Sequence, residues 1–107
     1  MTIPADDAPV VDDTAGSRFV MRESGTEAEL IYARQGDRLI LVHTEVPEVW
    51  GGHGIGGRLV RAAVARAKAD GLTVVPWCPF ARRWLHDHPE EAATVRIDWE
   101  TPRPPRP

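Results

Sequence analysis

The chain has 107 residues, of which 42% are hydrophobic and 27% charged, with a formal net charge of -3. That length supports one core rather than two, and no apolar run is long enough to cross a bilayer. The mild acidity supplies no general attraction to nucleic acid or anionic membrane, and a lone cysteine, Cys78, excludes an internal disulfide.

The opening residues Ile3-Pro4-Ala5-Asp6-Asp7 lack the basic start and apolar stretch of a secretory signal, so a cytoplasmic protein is expected. Residues 1–16 set Asp6, Asp7, Asp12 and Asp13 among Pro4, Pro9 and Gly16. Such a stretch is too acidic and too poor in large apolar groups to pack, and a flexible tail is expected. The folded domain is expected over 17–100. Residues 101–107, with four prolines and two arginines, are expected to form an extended tail.

Arg18 to Arg22 and Ala28 to Arg34 are β-type runs separated by the turn formers Ser24 and Gly25. Gln35-Gly36-Asp37 makes a second turn, and Leu39 to Glu45 is the most strand-like segment of the chain, completing an antiparallel meander. Simple alternation puts Leu39, Leu41, His43 and Glu45 on one face and Ile40, Val42 and Thr44 on the other. Apolar residues begin both faces, which predicts a central strand covered on both sides.

Pro47 stops that strand and a glycine-dense turn follows. From Gly57 to about Ala69, Leu59, Val60, Ala63, Val64 and Ala67 recur at helical spacing, with Gly71 as the stop. Leu72 to Val75 reads as a buried strand. Because it follows a helical crossover, it should lie parallel to Leu39–Glu45 in a βαβ unit. Phe80 to Asp87 can form a short second helix, and Val95 to Trp99 a last edge strand. The fold class is therefore α/β (α+β), a mixed sheet in which a meander precedes a βαβ unit.

Five glycines fall within the seven residues Gly51-Gly52-His53-Gly54-Ile55-Gly56-Gly57, between a strand and a helix. Glycines there free backbone N–H groups to point at an anion, and the positive helix end adds to the attraction. Gly52, Gly54 and Gly57 match the spacing of a dinucleotide-binding turn. The ribose-binding acid expected after the next strand is replaced, however, by Pro76 and Trp77. A nucleoside-triphosphate loop would need Lys and then Ser or Thr after the last glycine, where Arg58 and Leu59 stand.

The context instead resembles the Gcn5-related N-acetyltransferase superfamily. The motifs that carry the likeness are His43-Thr44-Glu45-Val46-Pro47, Gly52-His53-Gly54-Ile55-Gly56, Pro76-Trp77-Cys78-Pro79-Phe80 and His88-Pro89-Glu90. Their order is similar to that of a subgroup of short, single-domain acetyltransferase-like proteins, over about Phe19 to Glu90. The resemblance implies that acetyl-coenzyme A is the cofactor and co-substrate, its pyrophosphate cradled by Gly52, His53, Gly54, Ile55, Gly56 and Gly57. Gly51 departs from the Arg or Gln usual at that point.

The resemblance also implies the chemistry. Glu45 is the candidate general base, with a carboxylate solvated at the strand end or capping a neighbouring amide as its plain alternative, and the Val46 backbone N–H is the candidate oxyanion donor. Cys78, beside the expected thioester, is a candidate covalent relay or proton donor, with the filling of a tight corner as its plain alternative. The acceptor is an unidentified small or protein amine. With no N-terminal helices to shape it, the acceptor cleft is left open or completed by another chain, a homo-oligomer among the options. The competing class is a non-catalytic acyl-coenzyme A binding or interaction module. No metal site is expected, because His43, His53, His86, His88 and Cys78 follow no recognised ligand spacing. Trp50 and Trp84 are candidates to line an acceptor pocket.

Overall fold

A computed structural model describes residues 2–105. Of the expected C-terminal tail, positions 106 and 107 lie outside the described residues, and so does position 1 of the N-terminal one. Six strands run in sequence order across one sheet: β1 (Val11–Asp13), β2 (Arg18–Glu23), β3 (Thr26–Gln35), β4 (Arg38–Glu45), β5 (Thr73–Pro76) and β6 (Arg96–Ile97). The first four pair antiparallel, and β4–β5 and β5–β6 pair parallel. This is the expected meander and βαβ unit.

Helix α1 (Ile55–Asp70) crosses from β4 to β5, while α2 (Pro79–Asp87) and the single turn α3 (Pro89–Ala92) cross from β5 to β6. Strand order advances the same way at both crossovers. Right-handed connections therefore put both helices on one face of the sheet. On that face Phe19, Met21, Leu30, Leu39, Leu41 and Val74 form one core with the α1 stripe Leu59, Val60, Ala63 and Val64 and with Trp84 and Leu85 of α2. The other face carries the row Ala33–Ile40–Val75 across three strands and no helix among the described residues, yet Ile40 and Val75 are buried there, so the first half of β4 is covered on both sides as expected, though by helices on one only. The expected last strand shortens to two residues.

Residues 2–16 do not behave as the sequence suggested. Val11–Asp13 pairs with Arg18–Val20 as an edge strand, and Ile3, Ala8 and Val10 pack against the core. Two of the acidic residues, Asp12 and Asp13, are matched by arginines. The Asp12 carboxylate accepts from Arg66 at 2.7 Å and from the Tyr32 hydroxyl at 2.8 Å, and Arg18 reaches Asp13, Glu27 and Glu29. An acidic run pairs as readily as it solvates once the fold places arginines opposite it.

One irregularity sets the site. Tyr32 lies opposite Leu41 and Ile31 opposite His43, so Val42 is an extra residue in β4, a β-bulge. Beyond it the alternation reverses, turning Thr44 to the helix face that Leu41 occupies and leaving His43 and Glu45 on the open face. Thr44 was expected on the face opposite Leu41, and His43 and Glu45 on the same face as Leu41; the inserted residue is the reason all three are reversed.

Candidate active site at the end of the central strand

β4 and β5 part company. Their pairing ends at Leu41 opposite Pro76, the Cys78 N–H closes on the Leu41 carbonyl at 2.9 Å, and Val42–Glu45 continue with no strand on that side. Before the bulge the carbonyls of Asp37 and Leu41 accept from the β5 side. After it the parity shift gives that edge the backbone groups of Thr44 and, one step further, Val46. Across the gap Thr44 Oγ1 lies 3.2 Å from Cys78 Sγ.

A one-turn 3-10 helix (Glu48–Trp50) follows, closed by the Gly51 N–H on the Glu48 carbonyl at 2.9 Å. Gly52 and Gly54 then take φ values of 78° and 72°, which other residues adopt only with strain. Gly54 caps α1 with no side chain to offer. The N–H groups of Ile55, Gly56 and Gly57 thus have no partner within the helix, whose internal bonding starts with Arg58 on the Gly54 carbonyl at 3.1 Å. A left-handed residue followed by helical ones gathers successive N–H groups into an anion-binding concavity.

A cavity of about 600 Å³ opens above this turn. Thr44, Val46 and Trp50 form one wall and the turn and first helical residues the floor, while Phe80, Trp84 and His88 of the α2 region close the far side with Arg58 and Arg61 at the rim. Glycine has a second purpose here. A Cβ on Gly56 would meet the Phe80 ring at 2.6 Å, and one on Gly57 would meet Trp84 Nε1 at 2.5 Å, so these positions admit α2 as well as any anion. Gly57→Ala is expected to lower stability by about 1–3 kcal/mol through that overlap. An unchanged melting temperature would refute so close a packing.

Around the rim, His88 stacks on Trp84 with centroids 3.9 Å apart, and its Nδ1 lies 2.7 Å from the Trp84 carbonyl. Nδ1–H donates there, which leaves Nε2 open. Arg61 forms a two-pronged pair with Glu91, both contacts at 2.8 Å, and this bonding holds the Glu91 carboxyl below the usual range. Buried Trp50 Nε1 has no hydrogen-bond partner, unlike every other buried side-chain polar atom described.

The expected site residues fall into two groups. Val46, Gly52, Gly54, Ile55, Gly56 and Gly57 line the cavity, and exposed His53 sits in the same turn without lining it. Glu45 is across the sheet. Its side chain is 68% exposed and accepts from His43 Nε2 at 2.7 Å on the open face. Cys78 is buried at the gap between the two, with the neutral Thr44 hydroxyl as its hydrogen-bond partner. Sequence reasoning missed Thr44, Arg58, Arg61, Phe80 and His88. Arg58 and Arg61 carried a usable signal, since a spacing of three places them on one face of α1 above the glycine turn. Trp50 and Trp84, candidates for an acceptor pocket, line the helix-face cavity.

Among the described residues no three His, Cys, Asp or Glu side chains converge as metal ligands, and no helix is long and apolar enough to cross a membrane. Comparison with known proteins gives concordant matches. The family model described as GCN5-related N-acetyl-transferase matches residues 18–95. Protein NATD1 of Homo sapiens is 30% identical over 83 residues, covering 75% of this chain and 74% of the human protein. NATD1 of Gallus gallus is likewise 30% identical, over 76% of its length. The solution NMR structure of a GCN5-like protein from Staphylococcus aureus superposes with a TM-score of 0.66 at 21% identity, covering 90% of this chain and 95% of that one. At that identity the likeness concerns the fold.

Proposed function

The chain belongs to the GCN5-related N-acetyltransferase family, and on that premise we propose that it transfers acetyl from acetyl-coenzyme A to an amine. The observation that carries this reading is the coincidence of an unpaired β4 edge with the free N–H groups of the glycine turn, both bordering one cavity. An extended amide-containing arm has backbone partners on the first, and a pyrophosphate has donors on the second.

The two faces of the sheet then divide the work. The helix-face cavity takes the cofactor, and the β4–β5 gap brings the thioester to the sheet plane, where the acceptor amine arrives from the open face. Glu45, held by the His43 N–H, accepts the proton that the amine nitrogen loses as it bonds to the thioester carbon. The Val46 N–H stabilises the oxygen that becomes negative. When the carbon–sulfur bond breaks, the thiolate departs beside Thr44 and Cys78, whose hydroxyl and thiol are the nearest proton donors.

Calorimetry with coenzyme A and NAD, followed by acetyl-coenzyme A consumption against a panel of polyamines, amino acids and lysine peptides, tests the proposal. Coenzyme A should bind, NAD should not, and at least one amine should be acetylated. Binding without turnover on any amine would favour the non-catalytic acyl-coenzyme A module, a reading to which the exposure of Glu45 lends weight. NAD binding without coenzyme A binding would refute both.

A further inference from the structure

The glycine turn offers dipoles but little charge. Of its residues only His53 has a side chain long enough to reach an anion, and that residue does not line the cavity. A pyrophosphate brings more negative charge than three backbone N–H groups can offset, so a cation should be sought nearby. Two arginines line the cavity. Arg61 is spent on Glu91 through both prongs of its guanidinium. Arg58, in the first turn of α1, has no carboxylate within salt-bridge reach among the described residues. Its two hydrogen bonds go to backbone carbonyls, Ala5 at 2.9 Å and Ala8. A guanidinium has five N–H donors, so three remain for a ligand.

We infer that Arg58 is the cation that holds the cofactor's phosphate in this protein, and that the N-terminal segment containing Ala5 and Ala8 aims it. This rests on the reading of the cavity as a coenzyme A site. Neutral carbonyls fix the arm without cancelling its charge, in contrast to Arg61. The segment around Ala5 and Ala8 thereby becomes part of the phosphate site through its bonds to Arg58. The selectivity implied is for a phosphorylated acyl carrier over the bare pantetheine arm.

Coenzyme A titrated by calorimetry and pantetheine titrated by NMR, each into wild type, Arg58→Met and Arg58→Lys, separate the possibilities. Arg58→Met should weaken coenzyme A by about ten- to a hundredfold, the worth of one or two charge-assisted bonds. Arg58→Lys keeps the charge but lacks the fork, and should weaken it less. Pantetheine, which carries no phosphate, should bind all three proteins alike. The amides of residues 5–8 should shift with coenzyme A and not with pantetheine in wild type. Wild-type binding followed by unchanged affinity in Arg58→Met, or an equal loss for both ligands in both variants, overturns the inference while leaving the site assignment standing. Failure of wild type to bind coenzyme A removes both.

Discussion

Glu45→Gln is expected to leave coenzyme A affinity unchanged and to lower turnover by about two to four orders of magnitude, the usual worth of a general base. The separation follows from the bulge at Val42. Because the alternation reverses there, Glu45 projects from the open face while the cofactor cavity lies on the helix face, so removing its charge disturbs no group that lines the cavity. The amide of glutamine still accepts from His43 but cannot take a proton. Cys78→Ala, assayed alongside, should keep turnover within severalfold, and wild type mixed with acetyl-coenzyme A should show no acetyl adduct on Cys78 by intact mass. Direct transfer needs one carboxylate and a leaving thiolate. The Sγ partner of Cys78 is the neutral Thr44 hydroxyl, and although Cys78 is the N-cap of α2, its side chain makes no hydrogen bond to the N–H groups of that helix, the contact that would favour a thiolate. Full activity in Glu45→Gln would eliminate the proposed base, and a hydroxylamine-labile adduct at Cys78 would replace direct transfer with a relay.

The sequence announced most of the sheet because its signals are local. β2 through β5 are bounded by turn residues, α1 shows its stripe in every turn, and Gly71 ends it in the left-handed conformation that a helix stop requires. The bulge was invisible for a physical reason. Val42 is an ordinary strand residue, and its being unpaired depends on its register against Ile31 and Tyr32 of β3, not on composition. That single residue decided which side chains of β4 face the cavity, so His43, Thr44 and Glu45 were all assigned to the wrong face, although Glu45 was correctly set at the strand end. The acidic N-terminal run failed similarly, since its neutralising partner Arg66 lies 54 positions from Asp12. The glycine turn was legible, but the purpose of Gly56 and Gly57 was only half legible, because Phe80 and Trp84 reach them from another element.

Gly54 is where the phosphate reading meets its sharpest test, and Gly54→Val is expected to abolish measurable coenzyme A binding, a loss of at least about a hundredfold if two donor contacts go. Gly54 adopts φ 72° and ψ 15° as the cap of α1, with nothing within 4 Å of the position a Cβ would take. The substitution therefore meets no neighbour in the folded protein. Its effects are the strain of a β-branched residue in the left-handed region, about 1–2 kcal/mol, and a branched group standing in the cavity at the helix start. Gly56→Val is less clean, since the Phe80 ring must swing aside first. Gly54→Asn separates the two effects, because asparagine tolerates left-handed backbone while still placing a side chain over the turn. If obstruction dominates, Asn and Val both lose binding, and if backbone strain dominates, Asn binds nearly as wild type does. A folded Gly54→Val that binds coenzyme A normally would show that the pyrophosphate is held somewhere other than the start of α1.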